Sequence, residues 1–236
     1  MRRLGWTLVL VSLALVGCRT VAKASTRPAL DPALPLAQQA KRLRLRYPLR
    51  YVFLRALKEE RRLELWAADR HGRMTLVREY PIAAASGGPG PKRREGDFQV
   101  PEGVYRIDRF NPKSRFHLSL GLDYPNPSDR LRGDPAYPGT NIFIHGNAVS
   151  IGCMAMTDRL IDEIYPTCEK ALNRKTIAVH VFPCRMTKTN LSRLASVNPE
   201  HAAFWRELQP IYAAFERTRR VPRVGITRTG AYRIEP

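Results

Sequence analysis

The chain is poor in acid, in cysteine pairs and in long apolar runs. Only 21 Asp and Glu stand against 40 Lys and Arg, which leaves a formal net charge of +19. The four cysteines (Cys18, Cys153, Cys168 and Cys184) never form a Cys-x-x-Cys pair, and no further His or Cys clusters beside them. A zinc site is therefore not expected, and neither a metal nor any other cofactor is required. The Gly/Pro-rich stretch from Ser86 to Pro91 must be a loop, but no Gly-Lys-Ser/Thr follows it and no helix start is visible. That excludes a phosphate-cradling loop. Zinc-finger, RNP and helix-turn-helix patterns are missing too, so the basic excess does not point to nucleic acid. Anionic wall polymers and lipid headgroups are the expected polyanions, and a general compositional bias towards Arg explains the charge equally well. There is no internal repeat. The longest apolar run, Leu4 to Val16, falls short of the roughly 20 residues a membrane span needs.

That short run follows Arg2 and Arg3, which together make the n-region and h-region of a secretory signal. It ends in Leu15-Val16-Gly17-Cys18, the lipobox pattern of bacterial lipoproteins, with Cys18 as the lipid attachment point. A competing site for ordinary signal peptidase is Ala22-Lys23-Ala24. Arg19 follows Cys18 where Asp would signal inner-membrane retention, so the expected location is periplasmic, lipid-anchored to the outer membrane. The expected divisions are a signal peptide over 1–17, a tether over 18–46, a catalytic domain over 47–187 and a helical extension over 188–236. The tether reads as a solvated spacer, with a short basic helix over Leu36–Arg46 as the alternative.

Strand-like segments run over Arg50–Leu57, Arg62–Ala68 and Met74–Ile82, with polar turns at 58–61 and 69–73, so 50–82 reads as a β-meander. Pro101-Glu102-Gly103 is a turn before an alternating strand. Residues 121–140, rich in Pro and containing Tyr124, Arg130 and Arg132, read as a lid or substrate wall. Thr157 caps a helix that continues to Leu172 and bends at Pro166, and Ile177–Pro183 is a buried strand. Asn198 caps a last helix with Pro199 at its first position and a core stripe of Phe204, Leu208, Ile211 and Phe215. The fold class is mainly β with appended helices.

The segment that carries chemistry is His145-Gly146-Asn147-Ala148-Val149-Ser150-Ile151-Gly152-Cys153. A thiol becomes a strong nucleophile as its thiolate, and a nearby imidazole is the commonest route to it. Gly152 permits a tight turn before Cys153, which can leave peptide N–H groups facing a developing oxyanion. Asn141–Ile144 reads as the strand that delivers His145. Ser150 lacks a base of its own, so it braces the turn or orients His145.

His-Gly upstream of Ser-x-Gly-Cys resembles the YkuD-type L,D-transpeptidases, thiol enzymes of the bacterial cell wall. The resemblance covers Arg50 to Pro183. Glu95-Gly96-Asp97, the short His-to-Cys spacing, the helical tail and Phe182–Thr187 are similar to its YafK-like branch. It implies a YkuD-like β-sandwich bearing a Cys/His site. Cys153 is the implied nucleophile, His145 the base, and Ser150 and Gly152 the motif's Ser and Gly. It further implies acyl transfer on peptidoglycan stem peptides through a Cys153 thioester. The alternatives are a hydrolase of the same class, either an amidase releasing wall-anchored lipoprotein or an L,D-carboxypeptidase, and a non-catalytic wall-binding lipoprotein. Two departures stand out. Ile151 replaces a second His, and Ala155 replaces an Arg that could engage a substrate carboxylate. Arg94, Arg115, Arg130 or Arg132 would have to substitute, and Gly146, Tyr124, Arg130 and Arg132 are the expected substrate contacts. Cys168 and Cys184, left over in an exported chain, are candidates for a disulfide.

Overall fold

The computed structural model describes residues 30–236. The signal segment, Cys18 and the Ala22–Ala24 site lie outside them. In chain order the elements are α1 (Leu36–Arg42), β1 (Val52–Leu57), β2 (Arg62–Ala68), β3 (Met74–Pro81), β4 (Gly103–Ser114), β5 (His117–Leu122) and α2 (Pro127–Arg132). They continue with β6 (Phe143–His145), β7 (Met154–Ala155), α3 (Asp158–Glu169), β8 (Ala178–Phe182), α4 (Lys188–Val197), α5 (Ala202–Thr218), β9 (Val224–Ile226) and β10 (Tyr232–Ile234).

Eight strands form one sheet in the order β3-β2-β1-β8-β4-β5-β6-β7. The expected meander is present as β1, β2 and β3. The sheet curls until its edges meet: the Ala155 N–H donates to the Ala84 carbonyl at 2.9 Å, and the Ala83 N–H donates to the Ala155 carbonyl at 2.8 Å. An eight-stranded sheet closed this way has no bare edge beside the 146–153 loop.

β1 and β8 pair in parallel, and every residue of β1 is buried. Parallel strands read as continuous apolar runs because helices cover both of their faces. On one face Leu54, Ala56, Val179 and Val181 pack with Ile161, Ile164 and Cys168 of α3. On the other, Leu57, Phe182 and Cys184 pack with Trp205, Leu208 and Ile211 of α5, and Phe53 and Trp66 meet Phe215. Buried charges tie α5 to the sheet. Arg55 reaches Glu64 at 2.6 Å and Glu216 at 2.7 Å. Glu102 accepts the Trp205 indole N–H at 2.8 Å and the Gly90 N–H at 2.7 Å, and pairs with Lys58 at 3.0 Å.

Several expectations are corrected. Cys168 and Cys184 are free thiols, so the expected disulfide is not formed. They lie on opposite faces of the sheet, which puts a layer of backbone between them. Residues from Leu36 onward are no solvated spacer. Leu36, Ala40, Leu45 and Leu49 enter the main core, and Arg78 donates to the Pro32 carbonyl at 2.6 Å. Asn198 does not cap the last helix, because Pro199–His201 form a separate 3-10 turn and α5 starts at Ala202. Thr157 stands at the start of α3 but makes no side-chain cap bond. Pro166 does lie inside α3, as expected.

Candidate active site

The site is built on the last strands of the sheet. β6 and β7 pair in parallel with Ile144 opposite Met154 and His145 opposite Ala155. Side chains alternate along a strand, so Cys153, one step before β7, shares a face with His145 as its diagonal neighbour. Diagonal neighbours lie roughly 7–8 Å apart, their Cβ atoms somewhat closer, within reach of an imidazole. Both residues line one cleft of about 810 Å³. The sequence separation of His145 and Cys153 is therefore closed by strand pairing rather than by a helix turn.

Each functional side chain has a physical anchor. The buried His145 Nδ1 sits 2.6 Å from the Gly146 carbonyl. A carbonyl only accepts, so Nδ1 carries the proton and Nε2 keeps the lone pair. Phe116 stacks on the imidazole at 4.8 Å between ring centroids. The Cys153 sulfur accepts the Phe143 N–H at 3.4 Å, and the thiol donates to the Asn141 carbonyl at 3.6 Å. Ser150 donates to the Cys153 carbonyl at 2.6 Å, so it braces the turn. Gly152 has φ +103°, a conformation other residues rarely adopt.

The Gly152 N–H is not open to an oxyanion as expected, because it donates to Ser86 Oγ at 2.6 Å. Ser86 follows the segment that bridges to Ala155, so closure of the sheet itself delivers its hydroxyl to the 146–153 loop. Nothing in the sequence marked Ser86, which lies 66 positions away.

Burial sets the resting protonation state. Desolvation pushes the Cys153 thiol above the 9.0 of an exposed cysteine, against the opposing pull of the Phe143 N–H and Lys92. Desolvation also holds His145 below 6.5, partly offset by its bond to the Gly146 carbonyl. Both groups are neutral at pH 7, so the arrangement suits a base that takes the thiol proton as the sulfur attacks.

The expected substrate contacts are corrected. Tyr124 is buried and donates to the Pro138 carbonyl at 2.7 Å. Arg132 is held by Glu207 at 2.9 Å, and Arg130 lies exposed on α2 outside the cleft. Gly146 serves packing instead: a Cβ there would stand 2.6 Å from Asp158 Oδ1 and 2.8 Å from the Phe116 carbonyl. The 121–140 segment folds into a capped helix over Pro127–Arg132 and reaches the cleft only through Gly139 and Thr140. The cleft's charged lining comes from elsewhere: Lys113 and Arg115 at the β4–β5 tip, and Lys92 and Glu95 in the preceding loop. Of the four candidate arginines, Arg115 alone lines the cleft. Asp97 of the Glu-Gly-Asp segment accepts from Lys92, Arg93, Arg94 and Gln99, bracing the loop that carries Lys92 and Glu95. Among the described residues no group of His, Cys, Asp and Glu is arranged to hold a metal.

Comparison with known proteins identifies the family. The family model for the L,D-transpeptidase catalytic domain, YkuD, matches residues 51–181. The Escherichia coli (strain K12) protein named "Putative L,D-transpeptidase YafK" is 35% identical over 222 residues, covering 92% of this chain and 86% of that protein. The helical cell shape determining protein Pgp2 from Campylobacter jejuni superposes with a TM-score of 0.48 at 17% identity, over 75% of this chain and 73% of that one. Bd1075 from Bdellovibrio bacteriovorus gives 0.43 at 20% identity, over 71% and 63%. On the strength of the family match and the YafK alignment, this chain belongs to the YkuD family of L,D-transpeptidase catalytic domains, alongside YafK.

Proposed function

We propose that this protein transfers acyl groups of peptidoglycan stem peptides through a thioester on Cys153. The observation that carries the reading is the juxtaposition of His145 and Cys153 on one face of the β6–β7 pair, in one cleft, with the His145 tautomer set by Gly146. Nε2 of His145 takes the thiol proton while the sulfur attacks the carbonyl at the L-centre of the third stem residue. The tetrahedral adduct collapses as His145 returns that proton to the leaving amine, and the thioester remains. An acceptor amine then attacks the thioester, forms the new amide and frees the thiol. Lys92 lies close enough to the sulfur to favour its negative form. Lys113, Arg115 and Glu95 line the cleft, a mixed charge set suited to a substrate carrying both carboxylates and an amine.

Water in place of the amine makes the same machinery a hydrolase, either an amidase releasing a wall-attached lipoprotein or an L,D-carboxypeptidase. We place the protein in the periplasm, anchored at the outer membrane through lipid on Cys18. Its lipobox sequence supports that placement, as does the Arg that follows Cys18.

The test is incubation of pure protein with disaccharide-tetrapeptide, alone and with an amine acceptor, read by product mass. The expected results are a crosslinked or exchanged product and a trapped thioester on Cys153. Cys153→Ala and His145→Ala should each abolish turnover with the fold intact. Hydrolysis products alone would assign the amidase or carboxypeptidase reaction, and undiminished turnover in Cys153→Ala would sink the thioester mechanism.

A further inference from the structure

We propose that the face made by the β2–β3 turn and the end of α5 docks on an anionic lipid surface. It would hold the catalytic cleft pointing away from the membrane. Four exposed arginines gather there: Arg70 and Arg73 in the turn, Arg220 just past α5, and Arg217 one turn back on it. Two contacts bind these elements into one surface. Arg220 donates to the His71 carbonyl at 2.8 Å, and the Met74 N–H donates to the Arg219 carbonyl at 2.7 Å.

The face stays positive, with four arginines against Asp69, whose carboxylate remains ionised near Arg220, and with Glu216 already paired to other arginines. Asp69 accepts the N–H groups of His71 and Arg73, at 2.8 Å and 2.9 Å. Glu216 is engaged by Arg55 at 2.7 Å and by Arg219 at 2.8 Å. A surface of this kind meets an anionic partner through charge, at about 1 kcal/mol per Arg close to an anionic bilayer.

The course of the chain selects lipid as that partner. Leu30 shares a shallow recess with Thr75, Leu76 and Arg219, so the N-terminal segment joins the fold beside the four arginines. The sequence of residues 19–29 holds Arg19, Lys23 and Arg27 and no acid. An apolar run with a lipobox precedes them. Basic residues beside such an anchor are the usual second signal for membrane attachment. The orientation follows from β3. Met74 stands at its start, while Ala84, beyond its end, bonds to Ala155 next to Cys153. At about 3.3 Å per residue these positions are on the order of 30 Å apart. A molecule seated on the arginine face therefore turns its catalytic loop outward, towards the wall. This assignment does not depend on which acyl acceptor the enzyme uses.

The test uses residues 19–236, which contain the whole described fold, without lipid on any residue. The protein is sedimented with vesicles of phosphatidylcholine alone, with vesicles containing about one-third phosphatidylglycerol, and with purified sacculi. We expect binding to the anionic vesicles only, weakened at about 0.15 M salt. Replacing Arg70, Arg73, Arg217 and Arg220 by Gln should lower partitioning on the order of 1,000-fold. A variant with Arg70→Gln and Arg73→Gln alone leaves the Arg220 contact intact and should lose about 30-fold. Four exposed cations elsewhere (Arg62, Arg159, Lys188 and Arg206) replaced by Gln should change partitioning by less than about threefold, the effect of net charge alone. Equal loss in both fourfold variants, or no binding to anionic vesicles, overturns the proposal. So does capture by sacculi that depends on the same four arginines.

Discussion

The resting state of the Cys153–His145 pair is open to a direct measurement: the rate at which iodoacetamide alkylates Cys153 as pH is varied. Only the thiolate reacts. Burial holds the thiol above 9.0, so at pH 7 the thiolate is at most about 1% of the population. Burial also keeps His145 below 6.5, so the imidazole is mostly neutral at the same pH. A thiolate–imidazolium pair requires the opposite order, with the thiol losing its proton before the imidazolium does. Cys168 and Cys184 are buried, each pushed up to about 12, and stay silent, so peptide mapping assigns the reaction to Cys153. The expected profile rises steadily with no plateau until the pH exceeds 9, and His145→Ala leaves it in place. Turnover should behave differently. With the neutral imidazole as the base of the proposed mechanism, kcat/KM should hold at pH 6.5 and fall below it as Nε2 is protonated. A shoulder in alkylation between about pH 4 and pH 7 that vanishes in His145→Ala would refute the neutral-pair reasoning.

Three further outcomes follow from particular contacts. Ser86→Ala removes the acceptor of the Gly152 N–H; at about 1–2 kcal/mol of lost order in that loop, kcat should fall on the order of tenfold with Tm lower by only about 2–8 °C, and Ser86→Thr should recover both. Arg115→Gln should raise KM for a carboxylate-bearing stem peptide at least about fivefold with kcat little changed, as steady-state kinetics would read. His180 is buried between Phe53 and Phe182, neither ring nitrogen has a partner among the described residues, and burial pushes it down to about 3. Its neutral form is the folded form, so its contribution is full above about 6.5 and is lost as pH falls from there towards 3. His180→Phe should therefore raise Tm by an increment that grows as pH falls from 6.5 towards 3, which thermal melts across pH would show.

What the sequence made legible divides along contact range. The β1–β3 meander could be read because alternating residues and polar turns are local signals. His145 and Cys153 could be read because their spacing and the intervening Gly and Ser restrict chemistry as well as geometry. The wall of the cleft could not. It is assembled from the β4–β5 tip and the 92–98 loop, and residues 121–140 looked like a lid only because they precede β6 in the chain. Within the expected helical extension α4 has no stripe to mark its bounds, because Leu194 is its sole buried residue. α1 was undervalued for a related reason: its few apolar positions matter only once the β3 residue Arg78 holds the preceding carbonyls. Bridging by disulfide failed as an expectation because chain distance between Cys168 and Cys184 says nothing about the sheet that lies between them.

The helical tail looks in the sequence like an appendage to the catalytic domain, and the packing makes it part of the same folding unit. Phe204, Trp205, Leu208, Ile211, Tyr212 and Phe215 of α5 are all buried. At about 1.5–3 kcal/mol for each, they contribute on the order of 10 kcal/mol, comparable with the whole stability of a domain at about 5–15 kcal/mol. Removing them would uncover Phe53, Leu57, Trp66 and Phe182 on the back of the sheet. It would also strip Glu216 from the buried Arg55 and the Trp205 indole from Glu102. Glu102 is the link to function: the same carboxylate that holds Trp205 holds Gly90 and Lys58, and the Gly90 loop begins at Ser86, the residue that fixes Gly152. A chain ending at Thr187 should therefore be insoluble or melt without cooperativity, whereas residues 30–236 should melt in one transition. The milder Glu102→Gln keeps the shape but leaves Lys58 without its charge partner. It should lower stability by roughly 3–5 kcal/mol in urea titration. A soluble 30–187 fragment with a sharp melt and full alkylation behaviour at Cys153 would show the tail to be dispensable and the argument wrong.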